Sequence, residues 1–389
     1  MIKKKILWVV YDFVQAGGQR YVYEITRSLH KEKYSIDFLK VAPMNHNKDW
    51  SKEFYYDPTI ELGCNIYCLD TVISAGVVKQ NVANRALKFL GRKLGVNSIS
   101  QLQQANELQK KMLAIFLEKY DVVNFSGVAV YQTFIKFAKH QPDYFIHILT
   151  FGFQHEQMYQ NYDRTLSYNF ITPVTPLAAR KDLAGFTTYN LTYFPLCFTT
   201  KTFDVSHSAQ GERSTIAIFT RLTTMKPLDP FFYALKILRE QGVNVQLLVY
   251  GAGDPAALGL IKQLDYLYLA DDVKFMGHTE NIPNTLTSAP PDLIWFQSAN
   301  KEPGGYAAFE IAMSGITQLF WDFMDLGEQR PIADYFPSFT SLMEFAGETR
   351  LLLADVERRK ALGQMQRNYV TTHYNVADHI HIIEELFDK

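Results

Sequence analysis

The chain has 389 residues, 47% of them apolar and 14% aromatic, enough to bury two cores of ordinary domain size, which excludes a disordered or fibrous chain. A formal net charge of −1 excludes a global field drawing it to nucleic acid or an acidic surface, so any such attraction must be local. Three cysteines, Cys64, Cys68 and Cys197, are too sparse for a disulfide scaffold or a closed zinc site and point to a reducing compartment, the cytoplasm.

The first ten residues are basic and then apolar, as in a secretory leader. The apolar part is short and meets Tyr11-Asp12, which predicts a strand at 6–10 instead. No stretch approaches the length of a membrane span. The strand leads through Gln15-Ala16-Gly17-Gly18-Gln19-Arg20 to a helix over 21–30 with Val22, Ile25 and Leu29 on one face. Glycine lets a backbone approach a ligand, and a helix start offers free amides to an anion. Gly17 and Gly18 are therefore candidate contacts, although any strand-to-helix turn can use such a pair. Further strands are expected at 36–41, 65–69, 122–125, 144–150 and 169–172, alternating with helices near 102–118 and 130–139. Such alternation predicts a doubly wound parallel sheet covered on both faces.

Residues 72–111 break the rhythm, with seven lysines and arginines against Glu107 alone, a net +6. Val78, Val82, Ala86, Leu90 and Leu94 share one helical face, so this basic amphipathic stretch either packs on its own domain or touches an anionic membrane. The loop after 144–150 carries His155, which is either a structural or solvated side chain or a member of the active site. The polar run 206–212 reads as a linker and places domains at 1–204 and 205–370.

The second half opens with a β-branched strand at 215–219, the loop Thr220-Arg221-Leu222-Thr223-Thr224-Met225-Lys226-Pro227 and a helix at 229–241. Arg221 and Lys226 thus leave the carboxyl end of a strand, where open α/β sheets form their ligand crevice. Strands at 245–250 and 273–276 follow, the first ending in Gly251-Ala252-Gly253.

The stretch from Ser298 to Gly315 is the most informative. It follows the apolar run 292–296, read as a buried strand, and Gly304-Gly305-Tyr306 open a helix that stops near Gly315. Glu302 precedes that helix and Glu310 lies inside it, separated by a mostly helical rise of roughly 10 Å, about the span of a diphosphate and ribose. Glu302 would equally suit the positive end of a helix dipole. Glu310 is the only charged residue between Pro303 and Trp321, so the helix is expected to be covered. A lone buried carboxylate needs donors, either sugar hydroxyls or a protein partner.

Glu302-Pro303-Gly304-Gly305 followed by Glu310 resembles the Glu-x7-Glu signature of retaining GT-B glycosyltransferases, specifically glycosyltransferase family 4. The resemblance implies two doubly wound Rossmann-like domains facing each other across a cleft, with a last helix, 371–389, crossing back to the first. It also implies roles. Glu302 anchors the donor sugar and stabilises the transition state, Gly304, Gly305 and Tyr306 line sugar and phosphate, and Glu310 takes the ribose hydroxyls. Arg221 and Lys226 hold the diphosphate, with Gly17 and Gly18 also on the donor side. The chain departs from the family at Gly304, where Phe is usual, at Gly152, where a histidine is usual and His155 follows three residues late, and at Phe194-Pro195-Leu196-Cys197 in place of Pro-Asn-Gly.

The implied activity is retaining transfer of a sugar from a nucleotide-sugar donor to a glycan or lipid-linked acceptor, as in bacterial surface polysaccharide synthesis. The implied place is the cytoplasm, peripheral on the inner face of the cytoplasmic membrane. The chain lacks the metal-binding Asp-x-Asp of other transferases, so neither metal nor other cofactor is expected, and no nucleic-acid partner is. A sugar-nucleotide epimerase or phosphorylase could use the same architecture. So could a non-catalytic subunit that binds sugar nucleotide or glycan, which the departures at 152, 195–197 and 304 favour and the intact Glu302, Glu310, Arg221 and Lys226 oppose.

Overall fold

A computed structural model describes residues 2–42, 53–74, 107–149, 158–173, 176–205, 213–299, 301–303, 305–325, 327 and 330–389. The chain divides into two compact units, Met1–Phe198 with Val376–Lys389, and Thr199–Asn375. Among the described residues, no helix is long and apolar enough to cross a membrane.

The first unit is built on β1 (Lys4–Val10), β2 (Tyr34–Lys40), β3 (Asn65–Cys68), β4 (Val122–Phe125), β5 (Tyr144–His147), β6 (Ser167–Thr172) and β7 (Thr188–Tyr193). Their order is β3-β2-β1-β4-β5-β6-β7, with every neighbouring pair parallel. Ile6 to Val10 are all buried, as expected of a central strand with both faces covered. The helix Gly17–Ser28 lays Tyr21, Val22 and Ile25 on the sheet. It also packs against the last helix, Val376–Asp388. That last helix is sewn on by polar bonds: Val376 N–H to the Phe198 carbonyl (2.9 Å), Tyr34 hydroxyl to Asp388 (2.8 Å), and the His30 ring to Glu384.

Four elements described in this unit were not anticipated, among them the helix Tyr56–Glu61. The helices Leu69–Ser74 and Pro176–Asp182 and strand β7 are short and carry little periodicity to read. The helix anticipated over 102–118 is described as Glu107–Leu117, and residues 75–106, with most of the basic stretch, lie outside the described residues.

The second unit contains β8 (Ser214–Phe219), β9 (Val245–Tyr250), β10 (Val273–Gly277), β11 (Leu293–Ala299), β12 (Glu302–Pro303), β13 (Gln318–Asp322) and β14 (Ser338–Phe339). The parallel order is β10-β9-β8-β11-β13-β14, and β12 folds back antiparallel on β11. Phe231, Trp295 and Phe345 fill its core, and the Trp295 indole N–H donates to Thr349 (3.0 Å). Buried Gln318 ties three layers together: its amide N–H donates to Gln366, its carbonyl accepts from Gln366, and its side chain donates to the Ala308 carbonyl, each at 2.8 Å.

A wholly buried histidine lies inside the first unit. His147 contacts the Tyr21 hydroxyl and Asn124, each at 3.2 Å, and its ring lies 4.8 Å from that of Trp8. Burial lowers its pKa from 6.5 to about 3, so it stays neutral in the folded state. The unfolded chain takes up a proton below pH 6.5 that the folded chain refuses until near pH 3. Stability is therefore complete above pH 6.5 and falls with acidification. Lowering the pH from 7 to 5 should cost about 2 kcal/mol through this group alone. Urea unfolding at the two pH values checks it: His147→Gln should be less stable at pH 7 but lose that much less on acidification, and an equal loss in both proteins contradicts the assignment.

Candidate functional site

The carboxyl edge of the second sheet gathers most of the residues singled out in the sequence. Strands β8 and β11 are parallel neighbours, with Leu293, Ile294 and Trp295 paired to Ile216, Ala217 and Ile218, so the loops that leave them lie side by side. The first carries Arg221 and Lys226; the second carries Glu302 and Gly305 and leads into the helix that bears Tyr306 and Glu310.

Neighbouring loops wedge the first loop in place. Thr220 and Leu222 donate backbone N–H bonds to the carbonyls of Tyr250 (2.9 Å) and Ala252 (2.8 Å), and Gly251 donates to Gly277 (2.8 Å). A Cβ on Gly251 would stand 1.6 Å from the Thr220 carbonyl oxygen, and one on Gly253, whose φ is +134°, 2.6 Å from the Leu222 Cβ. Glycine is thus required because two backbones touch. Gln297 braces the loop from β11. Its Oε1 accepts from the Thr220 hydroxyl (3.2 Å) and its Nε2 donates to the Pro227 carbonyl (3.0 Å).

Arg221 is exposed and Lys226 half-buried. Burial, and then the Arg221 charge, lower the Lys226 ammonium's pKa. Among the described residues no carboxylate pairs with either cation. A desolvated ammonium beside a guanidinium, with no acid to compensate, is a place where an anion gains strongly.

The second loop is a tight hairpin and corrects the expected helical spacing of the two acids. β11 runs to Ala299, the chain reverses, and Glu302 pairs with Ala299 and Pro303 with Ser298. Lys301 turns the corner at φ 60°, a left-handed conformation uncommon for a residue with a Cβ. Buried Asp322 holds the corner, accepting from the amides of Lys301 (2.8 Å) and Met324 (3.1 Å). Gly305, at φ 125°, turns the chain into the helix Tyr306–Ala312, which starts two residues later than expected. Only the residues from Tyr306 onward contribute helical rise between Glu302 and Glu310.

That helix buries Tyr306, Ala308, Phe309, Ile311 and Ala312. Glu310 falls on its less covered side and is half-buried, not enclosed as the lack of other charges implied. The side chain of Glu302, and all of Gly304 and His155, lie outside the described residues.

In the first unit Gly17 and Gly18 open the first helix after Ala16, at the carboxyl end of β1. A Cβ on Gly17 would meet nothing within 4 Å, and one on Gly18 only Leu149 at 3.4 Å, so the fold itself demands glycine at neither place. Beside this turn lies an acidic pair missed in the sequence. Buried Asp12 accepts from Gln19 (2.5 Å), and Glu53 accepts from the Phe13 amide and from buried Lys40 (2.9 Å). Burial, then the Glu53 charge, raise the Asp12 carboxyl's pKa.

No protein-family model and no curated protein sequence matches the chain. Solved structures do. A Staphylococcus aureus TarM variant in complex with fondaparinux, alpha-GlcNAc-glycerol and UDP superposes with a TM-score of 0.67 at 10% identity, over 99% of this chain and 100% of that one. Anabaena HepE in complex with UDP and glucose gives 0.66 at 12% identity, over 99% of both chains. The lipopolysaccharide outer core galactosyltransferase WaaB gives 0.60 at 12% identity, over 98% of this chain and 99% of that one.

Two substitutions separate crowding from ligand contact. Gly251→Ala should lower stability by about 2 kcal/mol or more, because the methyl group must displace a carbonyl. Gly17→Ala should leave stability unchanged or raise it by up to about 1 kcal/mol, and any loss of ligand binding there would then report direct contact. Thermal melting of the two variants checks both, and a destabilised Gly17→Ala would mean that the turn is shaped by its own packing. These comparisons and the two parallel α/β sheets show that the chain has the two-domain GT-B fold.

Proposed function

We propose that the protein is a retaining, metal-independent glycosyltransferase of family 4 that moves a sugar from a nucleotide-sugar donor to a glycan or lipid-linked acceptor. The observation that carries this reading is the pair Arg221 and Lys226, uncompensated by acid among the described residues and set beside the Glu302 hairpin at the carboxyl edge of one sheet. A donor diphosphate supplies the charge that such a pair lacks. Support also comes from the fold shared with TarM and HepE, whose structures hold UDP.

Breaking the glycosidic bond of the donor leaves a nucleoside diphosphate whose new negative charge must be stabilised. Arg221 and the half-buried Lys226, carried on a braced loop, stabilise it more in the transition state than in the ground state. Glu302 accepts hydrogen bonds from the sugar, holds its face and offsets positive charge at the anomeric carbon. Glu310 accepts from the ribose hydroxyls, and Gly305 and Tyr306 continue the wall. The acceptor hydroxyl attacks from the side the leaving phosphate vacates and gives its proton to that phosphate, so configuration is retained without a protein nucleophile. The proposed setting is the cytoplasmic face of a membrane carrying a polysaccharide or glycolipid acceptor. The basic stretch 72–111 is the proposed contact with its anionic lipids.

A thermal-shift panel of UDP-, GDP-, ADP- and dTDP-sugars tests donor binding, because a ligand at a hundred times its dissociation constant adds about 2.7 kcal/mol of stability. With the donor so found, Glu302→Ala and Glu310→Ala should each cut turnover by about a hundredfold or more with Tm unchanged. Near-normal turnover in both ends the assignment. Binding without turnover by the wild type favours the non-catalytic subunit. Loss of activity in chelator, restored by a divalent ion, contradicts the metal-independent mechanism.

A further inference from the structure

The loop bearing Arg221 and Lys226 is held at both ends by one side chain from the neighbouring strand. Gln297 is 8% exposed and sits on β11 one residue before Ser298. Its carbonyl oxygen accepts from Thr220, the residue before Arg221, and its amide nitrogen donates to the carbonyl of Pro227, the residue after Lys226. The six residues between these anchors carry both cations. Within the span, a single turn closed by Lys226 N–H to the Thr223 carbonyl (3.0 Å) and the Leu222 amide bond to Ala252 set the path. Leu222 is buried, whereas Thr223, Thr224 and Met225 are exposed and bring no packing.

Few side chains could do this. The anchor must accept at one end and donate at the other, which a primary amide does and a carboxylate or an ammonium does not. Asparagine is one methylene shorter. A buried glutamine at the end of an otherwise apolar strand is costly unless both halves of its amide are used, and here both are.

We propose that Gln297 is a positioning residue for the donor diphosphate: by fixing the distance between Thr220 and Pro227 it keeps Arg221 and Lys226 side by side against their mutual repulsion, ready for the anion. This rests on the diphosphate reading of those two cations. Gln297 need not touch the donor. Its effect passes through the loop and vanishes when the cations are gone.

The experiment is a double-mutant cycle read by titration calorimetry with UDP, and with inorganic pyrophosphate as the base-free probe. Gln297→Met keeps length and volume and removes both hydrogen bonds. It should weaken both probes about tenfold, as expected for two ordinary hydrogen bonds that preorganise a site, and raise KM more than it lowers kcat. Added to Arg221→Ala/Lys226→Ala it should change affinity less than twofold, the non-additivity of groups acting through one another. A merely structural role predicts the opposite, a lower Tm with the same proportional loss in both backgrounds. Unchanged affinity in Gln297→Met, or a tenfold loss that persists without the cations, overturns the proposal alone. Unchanged affinity in the Arg221→Ala/Lys226→Ala protein overturns both the proposal and the diphosphate reading beneath it.

Discussion

A half-buried ammonium, Lys226, on the same short loop as the exposed guanidinium of Arg221, with no carboxylate paired to either among the described residues, is the constraint around which the carboxyl edge of the second unit's sheet is built. Left alone, such a pair would swing apart into solvent or recruit an acid. The fold fixes the backbone that carries them. Thr220 and Leu222 are bonded into the loops of the next strand, Gly251 and Gly253 bring that backbone into contact, and Gln297 ties the far end. Burial and the like charge of Arg221 both lower the Lys226 ammonium's pKa. A site already in place when charge develops is also what transition-state stabilisation requires.

The second loop shows the same economy with opposite charge. A carboxylate on a helix start would be aimed by a flexible approach segment. Glu302 is instead carried by a two-residue strand paired to β11, with Lys301 in a left-handed corner and Asp322 accepting two amides beneath it. Backbone strain at Lys301 is tolerated because Asp322 and the pairing over-determine the turn. The strands beneath are apolar and the chemistry sits on their ends, as the doubly wound sheet dictates.

Much of this was legible in the sequence. Apolar runs such as 6–10 and 292–296 announced buried parallel strands, because a strand covered on both faces has no room for alternation. Arg221, Lys226, Glu302 and Glu310 were legible because charges stand out at strand ends and in uncharged helices. The hairpin was not: Asn300-Lys301 offers no glycine, and Glu302-Pro303 is too short to register as a strand. Gln297 and Asp322 escaped notice for a different reason. Each closes an apolar strand and reads as the first polar residue of a loop, and only the partner strand shows what its side chain holds. A polar residue within the buried carboxyl end of an apolar strand is the signal that would have found both.

The glycines carry the remaining distinction between architecture and function. Gly251 and Gly253 are required because a methyl group would collide with the Arg221 loop, so their identity follows from packing alone. Gly305 is required by its backbone angle, with open space where a side chain would be. Gly17 and Gly18 are required by neither, since both open a helix where a Cβ meets nothing at Gly17 and only an ordinary contact with Leu149 at Gly18. Glycine at a helix start is costly in the unfolded chain and returns nothing to the folded one. Among the described residues, packing therefore does not account for the glycine pair that follows β1, whereas it accounts fully for Gly251 and Gly253.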